Sequence, residues 1–153
     1  MSTLQTAHAP LVPDAGVRAA MMADHAGIAT LFDDVVAAFR SGDRDEAAAM
    51  FAQFEQRLEA HLALEDQLLL PPLRAAHPDE VAALAEDHRK IRARLAELGV
   101  GVDLHLTRAS WVAAFVDSLR AHAQREDALL YRWAAEPTAK IDTRAVLRRL
   151  AAL

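Results

Sequence analysis

The segment LEAHLALEDQLL (residues 58–69) recurs later in the chain as LRAHAQREDALL (residues 119–130). Both copies follow the pattern Leu-x-Ala-His-x-x-x-Glu-Asp-x-Leu-Leu, with the histidine and the glutamate four residues apart. On an α-helix this spacing places the two side chains one turn apart on the same face. Leucines share that face, so the pattern predicts that both polar groups are buried. Because an unpaired buried charge is very costly, the two copies indicate two bound metal ions.

The overall composition favours an all-helical protein of one domain. The 153 residues are 53% hydrophobic but only 5% aromatic, with five glycines and six prolines. Alanine and leucine, combined with arginine and acidic residues, form a mixture that favours helices. The residues typical of strands are few and do not alternate. A chain of this length can form a single domain with a sizeable core.

Charge and hydropathy argue against several classes of function. The formal net charge is −5, which does not indicate a nucleic-acid-binding surface. No apolar run is long enough to span a bilayer, and residues 1–10 lack the basic start and apolar core of a secretion signal. The absence of cysteine excludes disulfides, iron–sulfur clusters and thiol catalysis. We therefore expect a soluble, cytoplasmic protein that binds neither nucleic acid nor membranes.

The helical pattern predicts an antiparallel up-down-up-down four-helix bundle. Apolar residues alternate in steps of three and four along four segments that are joined by mostly short connections. We expect an N-terminal arm at residues 1–16, the bundle at 17–136, and a short fifth helix packed on the bundle at 137–153. The predicted boundaries are a cap at Asp14, a break at Ser41-Gly42, a cap at Asp43, a kink or end at Pro71-Pro72, a stop at Gly99-Val100-Gly101, a cap at Thr107, a stop at Pro137 and a cap at Asp142.

An internal repeat relates the two halves of the predicted bundle. The pattern Asp-His-x-x-Ile occurs at residues 24–28 in the first helix and again at 87–91 in the third. Counting 1.5 Å per residue from the first turn brings His25 to nearly the same height as His61 and Glu65. Six side chains are therefore predicted to converge in the middle of the bundle: His25, His61, Glu65, His88, His122 and Glu126.

This set of four imidazoles and two carboxylates indicates a pair of transition-metal ions. Imidazole nitrogen suits iron, zinc, copper or nickel, whereas magnesium and calcium prefer more oxygen ligands. Six donors are too many for one tetrahedral zinc ion. Two ions roughly 3.5–4 Å apart would use all six, with Glu65 and Glu126 bridging them. The spacing leaves open which histidines share an ion, and each ion would keep a position for water, hydroxide, an oxo bridge or a small ligand.

These motifs resemble the hemerythrin-like family, also called the HHE cation-binding domain. The resemblance covers residues 17–136 and rests on the two His-x-x-x-Glu segments, the Leu-Leu-Leu-Pro after the first of them, and the single histidines of the first and third helices. It implies two non-haem iron ions, bridged by carboxylates and an oxo or hydroxo group, with the six convergent residues as ligands. Members of the family bind dioxygen reversibly, sense oxygen, iron or nitric oxide, or handle iron.

One position departs from the oxygen carriers of the family. They have a fifth histidine, which is the second on the third helix, one turn away from the first. In this chain the positions four residues before and after His88 are Leu84 and Arg92. By resemblance, spare coordination at both ions favours reactive or sensing variants over stable oxygen carriage. We expect binding of dioxygen or a related diatomic such as nitric oxide. The alternatives are an enzyme that acts on peroxide, nitric oxide or ferrous iron and, more weakly, a metal-free interaction bundle.

Other polar and aromatic residues are predicted to have structural roles. A ferritin-like site would need Glu-x-x-His, which precedes none of the seven histidines, and the His-Glu-x-x-His of zinc proteases is also absent. His8, His77 and His105 lie in the arm or near predicted turns, where surface or capping roles are expected. Tyr131 and Trp133, about two turns beyond His122, are expected to cap the core rather than to act as redox residues. Four aspartates could accept hydrogen bonds from ligand imidazoles, form salt bridges between helices or lie on a solvated edge: Asp24, Asp66, Asp87 and Asp127.

Overall fold

The computed structural model describes residues 16–153, and over this range the chain is helical without a strand. Four long helices form the body of the molecule: α1 (Val17–Ser41), α2 (Arg44–Leu64), α4 (Pro78–Asp103) and α5 (Ala109–Ala128). A π-helical segment (Glu65–Leu69) and the short helix α3 (Leu70–Leu73) continue α2. After α5 come α6 (Leu130–Ala134), a 3-10 turn (Pro137–Ala139) and α7 (Thr143–Leu150). The predicted arm lies outside the described residues apart from Gly16, and the predicted cap Asp14 lies outside them too.

The long helices form the predicted antiparallel four-helix bundle. Helix α1 packs against α2 and α5, and α4 packs against the same two helices. The first connection is tight because Gly42 has a φ of 81°, a conformation that glycine adopts without a steric penalty. Asp43 then caps α2 as predicted, accepting hydrogen bonds from the amides of Asp45 and Glu46 at 3.0 Å. None of the described helices is long and apolar enough to cross a lipid bilayer.

The third long helix passes through its predicted stop. Helix α4 continues beyond Gly99 and Gly101, so the expected end at these glycines is wrong. A Cβ on Gly101 would lie 2.3 Å from Thr107 Oγ1, so this glycine allows the returning chain to pack closely against the helix. Thr107 is not the cap of α5 either. Its hydroxyl donates to the carbonyl of Leu98 at 3.1 Å, and Arg108 occupies the N-cap position.

The regular α-helix of the second segment ends before its prolines. The segment Glu65–Leu69 is π-helical, and the amide of Leu70 donates to the carbonyl of Glu65 five residues earlier. Pro71 and Pro72 follow in the first turn of α3, where a missing N–H costs no helical hydrogen bond. The change of helical pitch therefore falls on a predicted metal ligand rather than on the prolines, and such π turns are frequent at functional sites.

The C-terminal segment contacts the bundle by means of α7, which packs on α1. Asp142 caps α7 as predicted and accepts a hydrogen bond from the amide of Ala145 at 2.9 Å. Val146 is fully buried among apolar side chains of the bundle. This short helix therefore closes the end of the bundle that lies opposite the α1–α2 turn.

Two apolar clusters fill the bundle. The larger one contains the edge-to-face phenylalanines Phe32, Phe54 and Phe115, and the other contains Met21 and Val146. The predicted ligands lie on their helices between members of the two clusters: His25 between Met21 and Ile28, His61 between Leu58 and Leu64, His88 between Leu84 and Ile91, and Glu126 between Leu119 and Leu130. The polar residues thus form a single layer across the bundle, enclosed by apolar side chains on both sides.

Candidate metal centre

The structure brings all six predicted ligands together in this polar layer. Four of them are 2% exposed or less: His61, Glu65, His88 and Glu126. The side chains of the other two, His25 and His122, are 11% and 10% exposed. Their nitrogen and oxygen atoms form two groups that could each hold a metal ion, and within each group these atoms lie within 4.8 Å of one another. Since buried charged groups require partners, the layer is a candidate metal centre.

The first group, the His25–His61 half, combines side chains from α1, α2, the π segment and α5. The Nε2 atoms of His25 and His61 lie 3.1 Å apart. Oε1 of Glu65 is 3.3 Å from the Nε2 of His61, and Oε2 of Glu126 is 3.3 Å from the Nε2 of His25. Donors that surround one ion at about 2.1 Å and at right angles are separated by about 3.0 Å. The spacing of these four atoms therefore fits the ligands of one ion.

The second group, the His88–His122 half, combines side chains from α4, α5 and the π segment. The Nε2 of His88 lies 3.0 Å from Oε1 of Glu126 and 3.4 Å from Oε2 of Glu65. The Nε2 of His122 lies 2.8 Å from the same Oε1 of Glu126. The structure thus answers what the spacing left open, because His25 adjoins His61 and His88 adjoins His122.

The two glutamates connect the halves. Glu65 directs Oε1 toward the His25–His61 half and Oε2 toward the His88–His122 half. Glu126 directs Oε2 toward the first half and Oε1 toward the second. Each carboxylate therefore offers one oxygen to each pair of imidazoles, which is the arrangement that a bridging carboxylate requires.

Aspartates orient three of the four imidazoles from outside the centre. A ring that donates from Nδ1 presents the lone pair of Nε2 to the metal. Three Nδ1 atoms lie at hydrogen-bond distance from an aspartate on a neighbouring helix: His25 with Asp127 at 3.0 Å, His61 with Asp24 at 2.6 Å and His88 with Asp66 at 2.7 Å. His122 differs, since its Nδ1 lies 3.8 Å from Asp87. Of the roles that the sequence left open, three of the four aspartates thus lie where they can accept from a candidate ligand imidazole.

Arginines contact two of these aspartates, Asp24 and Asp66, and a third arginine contacts Asp87. Burial alone would raise the pKa of Asp24, but hydrogen bonds from His61 and Arg57 lower it, so this carboxyl group stays ionised. The pKa of Asp66 is lowered in the same way, against the effect of burial, by His88 and Arg92. The arginine contacts are Arg57 with Asp24, Arg92 with Asp66 at 2.7 Å and Arg125 with Asp87 at 2.7 Å.

The carboxylates give the layer an excess of negative charge. Burial alone would lower the pKa of His61, but the charge of Glu65 and the hydrogen bond with Asp24 raise it to about 10. The pKa of His88 is raised to about 9, against the effect of burial, by its hydrogen bonds with Asp66 and Glu126. In the metal-free chain the imidazoles of His61 and His88 thus tend to be protonated. Metal cations would balance the same carboxylates while the imidazoles bind in their neutral form.

Unpaired polar atoms also fit a metal. Within residues 16–153, four buried side-chain atoms have no hydrogen-bond partner: Nη1 of Arg57 and, in the centre, Oε2 of Glu65 and both ring nitrogens of His122. The short approach of His122 to Glu126 lacks the alignment of a hydrogen bond. Buried polar atoms without partners are rare in folded proteins, and three of these four belong to predicted ligands. The donor set therefore fits bound metal ions.

A seventh polar side chain enters the centre, and the sequence pattern did not predict it. Tyr131 is fully buried and donates a hydrogen bond to Oε1 of Glu65, while its hydroxyl oxygen lies 2.7 Å from Nε2 of His25 and 3.4 Å from Nε2 of His61. Tyr131 therefore belongs to the apolar core, as expected, but its hydroxyl also enters the centre. Burial and the charges of Glu65 and Glu126 raise its pKa well above the usual range, so in the metal-free chain it is a neutral donor.

The remaining histidines of the described chain lie away from the centre. His77 stacks on Trp133 with ring centroids 3.7 Å apart and an angle of 7° between the planes. His105 lies in the connection between α4 and α5 with a φ of 57°. These positions agree with the structural roles expected for them, and His8 lies outside the described residues.

Two spaces border the centre. A small, partly open cavity of about 30 Å³ touches both halves and is otherwise lined by apolar side chains such as Ile28, Phe32 and Leu119. A surface groove of about 450 Å³ between α4 and α5 reaches His122. Of the six predicted ligands, only His122 lines this groove. The groove therefore reaches the centre from the side of the His88–His122 half.

A helical bundle with a buried layer of histidine and glutamate side chains defines the class of cation-binding four-helix proteins. The family model described as the hemerythrin HHE cation binding domain matches residues 17–134 and, in a second and overlapping match, residues 79–151. The chain belongs to this family. The overlap falls within the second half of the internal repeat. No curated protein and no solved structure gave a significant match to the chain.

Proposed function

We propose that this protein holds two non-haem iron ions and binds dioxygen or a related diatomic molecule such as nitric oxide. The observation that carries this proposal is the orientation of Glu65 and Glu126, each with one oxygen toward each pair of imidazoles. Two ions that share both carboxylates would use all six donors. A set this rich in imidazole favours transition metals over magnesium or calcium.

The residues of the chain have distinct roles in this proposal. The four imidazoles bind the ions through Nε2, and the two glutamates bridge them. Asp24, Asp66 and Asp127 fix the ring orientations through Nδ1, which also raises the basicity of the ligands. When bound, ferrous ions would supply the electrons for reversible uptake of dioxygen.

The small cavity beside the ligand residues supports a very small ligand. Its volume of about 30 Å³ is close to the space that two water molecules occupy by the same measure. Its walls between the ligand residues are apolar, contributed by Ile28, Phe32 and Leu119 among others. An uncharged diatomic molecule fits such a space, whereas a larger or strongly hydrated substrate does not.

Metal content together with an optical spectrum tests the proposal. The purified chain is unfolded or chelated, reconstituted separately with ferrous iron and with manganese, and analysed for metal per chain. We expect two irons per chain and an optical spectrum that changes on exposure to oxygen and returns when oxygen is removed. An iron content near zero after reconstitution would refute the proposal and favour a metal-free interaction bundle.

A second candidate function is turnover of peroxide, nitric oxide or ferrous iron by the same centre. The groove at His122 favours it, because this opening of about 450 Å³ could admit a molecule larger than the small cavity allows. The same reconstituted protein distinguishes the two functions. Irreversible oxidation with consumption of added hydrogen peroxide supports the enzyme, whereas a reversible spectrum without consumption supports the binding protein.

A further inference from the structure

We propose that Tyr131 is a seventh ligand, whose phenolate oxygen binds the ion in the His25–His61 half and leaves the His88–His122 half as the position for an external small molecule. This inference rests on the proposed iron centre and deepens it. It concerns a residue that lies outside the His-x-x-x-Glu pattern and was expected to have a packing role.

The position of the hydroxyl oxygen is the first argument. It lies 2.7 Å from Nε2 of His25 and 3.4 Å from Nε2 of His61, and it contacts Oε1 of Glu65. All three neighbours are donor atoms of the same half. These separations match the spacing of about 3.0 Å between adjacent ligands of one ion. The oxygen is thus part of the donor set and not a group at its edge.

The internal repeat provides the second argument. Tyr131 follows Glu126 by five residues, and Leu70 follows Glu65 by the same interval. Leu70 is buried and has no donor atom, so the repeat supplies an additional oxygen on one side only. The fifth histidine of the oxygen carriers would stand on the helix of His88, in the other half. The extra donor in this chain therefore belongs to the opposite side of the centre.

The chemistry of the phenol supports coordination of ferric iron. Tyrosine oxygen is an established iron ligand in proteins, and its anionic form suits a highly charged ion. As the oxygen–iron bond forms, the hydroxyl proton leaves to solvent, so charge is balanced. The His25–His61 half would then have two imidazoles, two carboxylate oxygens and a phenolate. The His88–His122 half would have only two imidazoles and two carboxylate oxygens, and it would keep more room for an external ligand.

Vibrational spectroscopy of the iron-loaded, oxidised chain tests this assignment. Tyr131 is the only tyrosine of the sequence, so any iron–tyrosinate signal in a resonance Raman spectrum reports this residue alone. We expect a visible phenolate-to-iron charge-transfer band with tyrosinate vibrations in the natural chain. Both should disappear in Tyr131→Phe and persist in the control Trp133→Phe, which alters a ring that stacks on His77 away from the centre.

A titration with azide tests the second part of the assignment. The natural oxidised protein should bind one azide per chain, and Tyr131→Phe should bind a second one because its His25–His61 half is open. Two azides on the natural chain, or two irons without a tyrosinate signal, would overturn the assignment but not the iron centre. In that case Tyr131 only donates to Glu65. Failure to bind iron at all would overturn both proposals, and the spectrum of the natural chain decides even if Tyr131→Phe does not fold.

Discussion

The two halves of the candidate metal centre have the same sequence pattern but different surroundings. In the His25–His61 half both imidazoles are fixed by an aspartate, and Tyr131 adds a third aromatic side chain. In the His88–His122 half only His88 is fixed, since Asp87 lies 3.8 Å from the ring of His122. His122 also borders the surface groove. An internal repeat can thus duplicate the candidate ligands while packing gives the two halves different hydrogen-bond partners and places only His122 beside the groove.

Removal of Glu126 should have the largest effect, because this carboxylate belongs to both halves. We expect Glu126→Ala to abolish iron binding and to lower stability by about 3–5 kcal/mol, since it leaves buried imidazoles without their partner.

His61→Ala should also lower iron content and thermal stability together. Iron analysis and thermal unfolding measure both effects. Glu86→Ala, which changes an exposed glutamate of α4, is the control, and unchanged iron content in both ligand variants would contradict the ligand assignment.

The aspartates that orient the imidazoles should differ in their importance. Asp24→Asn should weaken iron binding by about 10–100-fold, because Asp24 holds the ring of His61 at 2.6 Å. Asp87→Asn should have a clearly smaller effect, because Asp87 does not hold His122 at hydrogen-bond distance. Competition with a chelator measures both affinities. Equal losses in the two variants would show that the halves are held alike and that the distance of 3.8 Å has no consequence.

The pH dependence of stability should separate the metal-free and iron-loaded forms. In the metal-free chain the pKa values of His61 and His88 are raised from 6.5 to about 10 and about 9. The stabilisation they provide is complete below pH 6.5 and is lost as the pH rises through the folded-state values, first at His88 and then at His61. Thermal unfolding with a chelator should therefore show a falling midpoint between pH 6.5 and 10.

Iron should remove this loss or reverse it, because bound imidazoles are neutral and metal binding releases protons. The same unfolding series with iron in place of the chelator is the comparison. A metal-free midpoint that stays constant or rises over this interval would contradict the charge balance of the layer.

The smallest effect concerns the route into the centre. Ala121 is an exposed residue that lines the groove at His122, so Ala121→Trp should fill the groove and slow azide binding to the oxidised protein several-fold. Ala114→Trp, at an exposed position of α5 outside the groove, is the matched control. Stopped-flow absorbance measures both rates. Equal rates would show that small molecules enter by another route and would remove one difference between the halves.

Much of the candidate site follows from local spacing. Residues four apart on a helix share a face whatever the tertiary structure, so His61 with Glu65 and His122 with Glu126 were predictable. Tyr131 was not predictable in this way. In a regular α-helix a residue five positions after Glu126 faces about 140° away from it. The backbone departs from the helix at Leu129, with φ of −118° and ψ of −68°, and beyond this break Tyr131 enters the centre.

The helix boundaries show the same division. Asp43 and Asp142 act as caps because a side chain that accepts from nearby amides is a local interaction. The predicted helix stop at Gly101 and the predicted cap at Thr107 are wrong because these two residues contact each other. The glycine is required by this close packing between different segments of the chain. The residues of a close contact can be named from the sequence only when the path of the chain between them is known.

The sequence by itself determined the helical bundle, its internal repeat and the six donors, because helical periodicity converts spacing along the chain into a shared face. Only the tertiary structure decided which histidines adjoin, which aspartate holds which ring, and that a tyrosine enters the donor set. These features depend on the rotation of one helix against another and on a local break in helical geometry. Such quantities are set by the packing of the whole core and leave no periodic signal in the chain.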